Sequence, residues 1–143
     1  MNSKRDADIQ PILISSTYLN RFDDGPVLTD QSMAILKENG VVGTYFLIGS
    51  NVVNNETHAK FVKDMYDAGH QIALHTWTHR QVSLQSTDQV ISEIIFNILA
   101  IYKVIKKVPR YFRPPYSAID DRVRFILKSM GLRPVIWNIE SLD

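Results

Sequence analysis

The chain has 143 residues, 45% hydrophobic and 22% charged, a composition that suits one soluble globular domain and excludes wholesale disorder. Its 16 Lys plus Arg against 15 Asp plus Glu leave a net charge of +1, without the basic excess of a nucleic-acid binder or an acidic tail. It contains no cysteine, so disulfides and thiolate chemistry are excluded.

From the N-terminus, Met1–Asp8 has no apolar core of signal-peptide length behind it. Pro11–Thr17 holds a short apolar run that predicts a strand, followed by a polar turn over Arg21–Pro26. Thr29 caps a predicted helix that runs to Asn39, where Gly40 supplies the stop. Val41–Ile48, rich in β-branched and aromatic residues, predicts a buried strand. A helix follows over Glu56–Ala68, ended by Gly69, and then a short strand over Gln71–Leu74. Ser86 and Gln89 form a capping box for a helix reaching Lys107, with Val90, Ile94, Ile98 and Ile101 along one face. Tyr111–Arg113 predicts a strand, Asp120–Met130 a helix ended by Gly131, and Pro134–Ile139 a last strand. The longest apolar stretches, such as Ile94–Ile105, are broken by polar residues and too short to span a membrane.

Alternating strands and helices are the pattern of parallel α/β folds, which bind ligands at the C-terminal ends of their strands. Three polar or aromatic clusters fall at such ends: Asp23-Asp24, His75–His79 and Arg113–Tyr116. Adjacent carboxylates can divide their duties, one as metal ligand and one as general base. Asp, Gly and Pro are also default turn formers, so Phe22-Asp23-Asp24-Gly25-Pro26 alone reads first as a solvated turn. His75 and His79, four apart, meet on one face of a helix or tight turn, a spacing suited to chelating zinc. Taken alone they are as readily two unrelated polar residues at a helix start. Trp77 between them is first a packing residue and second a sugar-stacking platform. In Arg113-Pro114-Pro115-Tyr116 the prolines keep the backbone extended and stiff, and the arginine can clamp a carboxylate bidentately.

Taken together, and in this order, the clusters resemble the polysaccharide deacetylase family (carbohydrate esterase family four), which includes chitin and peptidoglycan deacetylases. Its motifs run Thr-Phe-Asp-Asp-Gly-Pro, His-Ser/Thr-x-x-His, Arg-x-Pro-Tyr, Asp-x-x-Asp-Trp and Leu-x-His. The resemblance extends from Phe22 to Asp143, with Gly43-Thr44-Tyr45-Phe46, Gly69-His70-Gln71-Ile72 and Asp121-Arg122-Val123 as further matches. It implies an α/β fold, a distorted (β/α) barrel that lacks its final strands and helix, with residues 1–143 as a single C-terminally truncated domain. It also implies that Asp24, His75 and His79 hold a divalent metal, zinc first. Asp23 would be the general base, Arg113 its orienting partner, and the Tyr116 backbone N–H a donor to the oxyanion. Trp77, Pro115, Tyr116 and Trp137 would contact a polysaccharide, of the chitin or peptidoglycan type. The implied reaction is metal-dependent removal of N-acetyl groups from a polymeric amino sugar, chitin first. Family members are usually extracellular or cell-wall associated.

Departures from the family pattern keep other readings open. Arg21 stands where the family has Thr. Glu140 replaces an Asp expected to meet Arg113, and no Leu-x-His follows. His58 and His70 fall at helix and strand positions and read as structural or surface residues. The alternatives are an inactive domain that binds metal or glycan, and a truncated paralogue with a structural or interaction role. Exposed strand edges would then favour self-association.

Overall fold

Hydrophobic periodicity and cap residues place most of the elements where they form. The computed structural model describes residues 20–26 and 30–136. Five short parallel strands lie in chain order across one sheet: β1 (Asn20–Gly25), β2 (Gly43–Leu47), β3 (Gln71–Leu74), β4 (Tyr111–Phe112) and β5 (Arg133–Pro134). Between them run α1 (Asp30–Glu38), α2 (Gly49–Val53), α3 (Glu56–Asp67), α4 (Thr87–Ile105) and α5 (Asp121–Ser129). The expected parallel α/β fold is present. Its strictly sequential strand order is that of a barrel wall, because a doubly wound sheet reverses its order at a switch point.

Local chemistry explains the helix ends. Asn55 caps α3 by accepting the His58 N–H at 2.8 Å, and Asp120 caps α5 by accepting the Val123 N–H at 2.8 Å. The predicted capping box opens α4: Ser86 Oγ accepts the Gln89 N–H, and Gln89 Oε1 accepts the Ser86 N–H. That helix ends at Ile105, two residues before the expected Lys107, because Lys106 turns left-handed at φ 57°.

The core forms where the inward sides of the strands meet α3, α4 and α5. Tyr45, Leu47, Leu74 and Phe112 pack there with Val62, Met65, Val90, Ile94, Ile101 and Leu127, all fully buried. Each such aliphatic or aromatic side chain contributes about 1.5–3 kcal/mol of burial. His70 joins this core as a structural residue, its Nδ1 accepting the Gly43 N–H at 3.0 Å while its ring meets Tyr45 edge-on. His58 is likewise engaged, through Nδ1 and the Asn51 carbonyl at 2.8 Å.

The structure corrects one expectation. Arg21–Pro26 is not a polar turn: Asn20–Gly25 is a strand, paired in parallel with β2 through Asn20↔Gly43, Arg21↔Thr44 and Phe22↔Tyr45. Backbone pairing and the stacking of Phe22 on Tyr45, 4.8 Å between ring centres, override the turn propensity of Asp-Asp-Gly-Pro. The strand expected over Pro11–Thr17, the Thr29 cap and the end of the strand expected over Pro134–Ile139 lie outside the described residues. Among the described residues no helix is long and apolar enough to cross a membrane.

Candidate metal centre

A regular strand sends neighbouring side chains to opposite faces, which would part Asp23 from Asp24. At the end of β1 the pairing shifts from Phe22↔Tyr45 to Gly25↔Leu47. Two residues, Asp23 and Asp24, therefore stand opposite one, Phe46, and Asp24 turns left-handed at φ 64°. This is a β-bulge, and it re-aims the pair. Asp23 meets Arg113, while Asp24 meets the two histidines.

The histidines sit in an irregular, tightly turning loop after β3, not on a helix, the other arrangement their spacing allowed. Thr76 and His79 adopt left-handed φ of 67° and 62°, and the Thr76 Oγ1 accepts the His79 N–H at 2.9 Å. That fold-back closes the loop and sets the rings 4.9 Å apart. Asp24 Oδ1 lies 3.2 Å from His75 Nε2 and 3.1 Å from His79 Nε2. His75 is buried, and its Nδ1 donates to the Arg113 carbonyl at 2.8 Å, so Nε2 turns a lone pair toward Asp24. Burial pushes the His75 pKa down and favours that neutral form, while the Arg113 carbonyl and the nearby aspartates partly oppose the shift.

Two lone-pair donors facing a carboxylate oxygen are stable only with a cation or protons between them. Tetrahedral zinc with ligands at about 2.0–2.2 Å sets neighbouring ligand atoms roughly 3.3 Å apart. The donor atoms of Asp24, His75 and His79 all lie within 4.8 Å of one another, and the two closest pairs match that separation. The donor set fits a divalent metal.

Arg113 is 2% exposed and donates from Nη1 to Asp23 Oδ1 at 2.7 Å, with its guanidinium 4.0 Å above the Phe46 ring. The contact uses one N–H rather than the expected bidentate fork. Nε and Nη2 have no hydrogen-bond partner among the described residues. Burial lowers the Arg113 pKa, Asp23 draws it back up, and the like charge of Arg21 lowers it again.

Tyr116 lies in a 3-10 turn over Pro115–Ser117, left-handed at φ 59°. Its side chain is exposed, and its ring sits 5.1 Å from that of His79. Pro115 is buried, and Trp77 is half-buried with its ring 5.8 Å from Phe96. Trp137 and Glu140 lie outside the described residues.

The site is an open rim. A groove of about 560 Å³ at the other end of the strands, lined by Met33, Leu36, Val42, Ala68 and His70, contains none of its residues. Sequence reasoning passed over two residues that hold the histidine loop, Glu93 and Asn97. Their signal was available: two polar residues, four apart, interrupt the apolar face of α4.

The family model for polysaccharide deacetylase matches residues 15–135. Chitin deacetylase 1 of Saccharomyces cerevisiae is 38% identical over 136 residues, which are 95% of this chain and 44% of that protein. The chitin deacetylase of Amylomyces rouxii is 40% identical over 95% of this chain and 32% of its own length. The chain thus spans less than half the length of these curated relatives. Among solved structures, the family 4 carbohydrate esterase of Streptomyces lividans, in complex with acetate, superposes with a TM-score of 0.78. It is 32% identical over 87% of this chain and 64% of its own. The chitin deacetylase of Colletotrichum lindemuthianum also gives 0.78, at 28% identity over 82% and 54%.

Proposed function

The chain belongs to the polysaccharide deacetylase family, and from that premise we propose that it is a metal-dependent hydrolase removing N-acetyl groups from a polymeric amino sugar, chitin first. One observation carries the reading: Asp24, His75 and His79 converge beside the Asp23–Arg113 pair on a single rim. Asp24, His75 and His79 would hold the metal, zinc first. When bound, it supplies a Lewis acid that lowers the pKa of water and polarises the acetyl carbonyl.

The chain's own residues do the rest. Arg113 holds Asp23 by Oδ1, which leaves Oδ2 to take the proton from the attacking water. The Tyr116 N–H is the donor for the oxygen that gains charge, in a turn that the two prolines stiffen. Trp77, Pro115, Tyr116 and Trp137 are the proposed contacts to the sugar.

A second reading is a domain that binds metal or glycan without turnover. His58 and His70 are both engaged in structural hydrogen bonds, and neither stands with the site residues to protonate a leaving amine. Zinc titration by calorimetry and acetate release from chitin oligomers separate these readings. One zinc site, lost in His79→Ala, with chelator-sensitive acetate release supports the hydrolase. Metal binding without acetate release supports the binder, and no metal uptake overturns the hydrolase and the metal-binding form of the second reading.

A further inference from the structure

Glu93 is 8% exposed, on the inward side of α4, where a charged residue is rare unless fully paired. It is paired, and all to one short segment. Its Oε2 accepts the backbone N–H groups of Trp77 and Thr78, each at 2.8 Å, and its Oε1 accepts the Thr78 hydroxyl. One turn on, the fully buried Asn97 donates from Nδ2 to the carbonyls of Leu47 and Thr76. The Thr76 carbonyl also accepts the Gly49 N–H at 2.9 Å.

These contacts grip a single peptide unit from both ends. The carbonyl of Thr76 and the N–H of Trp77 belong to the same peptide, so Asn97 and Glu93 fix its plane. That peptide follows Thr76, a buried β-branched residue at φ 67°, a conformation that costs of order 1–3 kcal/mol and persists only when its surroundings enforce it. The bend at Thr76 is what carries the chain back from His75 to His79.

We propose that Glu93, assisted by Asn97, is a positioning residue that holds the Thr76–Trp77 peptide so that His75 and His79 face Asp24 as a preformed divalent-metal site. This rests on the metal reading above. Groups that orient metal ligands typically cost 10–100-fold in affinity when removed. Glu93→Ala removes both acceptor oxygens and leaves the Trp77 and Thr78 N–H groups without their partner.

The test is uptake of Zn²⁺ by calorimetry and of Co²⁺ by visible absorption, which reports coordination geometry apart from turnover. Glu93→Ala should weaken metal affinity by about 10-fold or more and alter the cobalt spectrum. Thr78→Val, which removes one hydroxyl donor, should shift both in the same direction by less. Ile101→Val, a core change, should lower stability and leave both unchanged. A folded Glu93→Ala protein with wild-type affinity and spectrum overturns the proposal. If Glu93→Ala does not fold, a Thr78→Val protein indistinguishable from wild type overturns it. Wild-type protein that takes up neither metal sinks the metal reading itself, a different result from either.

Discussion

Arg113 Nη1 stands 2.7 Å from Asp23 Oδ1, joining segments 90 residues apart at the heart of the site. The arginine is 3% exposed in its side chain and the aspartate 18%, so neither charge is well solvated. Breaking such a pair from one side leaves the other charge buried and uncompensated, at about 3–5 kcal/mol.

Asp23→Asn should therefore act twice. It removes the proposed proton acceptor, lowering acetate release by about 10²–10⁴-fold, and it strands Arg113, lowering stability by a few kcal/mol. Zinc affinity should hold, because Asp24 and the histidines are untouched. An acetate-release assay, urea unfolding and zinc calorimetry check the three in turn, and a collapse of metal binding would show that Asp23 is itself a ligand.

Gly49→Ala tests how closely α2 packs on the site. A Cβ there would meet Trp77 Cε3 at 2.7 Å and Asn97 Cα at 2.9 Å, and the backbone of α4 cannot give. Overpacking of this kind costs about 1–3 kcal/mol. Urea midpoints should show that loss, and an unaffected midpoint would mean that α2 moves freely.

Stability should fall as the pH drops below the ordinary histidine value. Burial holds the His70 pKa below 6.5, and its Nδ1 is an acceptor for the Gly43 N–H. Between 6.5 and the lower folded value the unfolded chain binds a proton that the folded chain excludes, so stability is full above this window and is lost through it. Buried His75 acts in the same direction. Urea midpoints at about pH 7.5 and about pH 5.5 should differ less in His70→Gln than in the wild type, since glutamine keeps an acceptor without the titration. Equal differences in the two proteins would dismiss His70 as the source.

Ser86→Ala removes one half of the capping box of α4, the helix that carries Glu93 and Asn97. A loss of about 0.5–2 kcal/mol is expected in thermal or urea unfolding. Zinc affinity should stay near wild type, because the cap lies seven residues before Glu93 along the helix.

What the amino-acid order determined by itself was the part of the molecule set by near neighbours. The Ser86–Gln89 box, the glycine stops at Gly69 and Gly131, and the apolar face of α4 all depend on residues within a turn or two. The span Gln71–Leu74 and the starts of α3 and α4 were legible for that reason. So were the three clusters, since carboxylate, imidazole and guanidinium chemistry is written in residue type. Tertiary structure alone decided their use. Asp-Asp-Gly-Pro became a bulged strand because β2 lies alongside it, and only that bulge lets adjacent aspartates serve different partners. The histidine pair faces Asp24 through a left-handed Thr76, whose following peptide is held by Glu93 and Asn97 from α4. Those hydrogen bonds close across some 15–21 residues, and the Arg113–Asp23 contact across 90, so local patterning cannot report them.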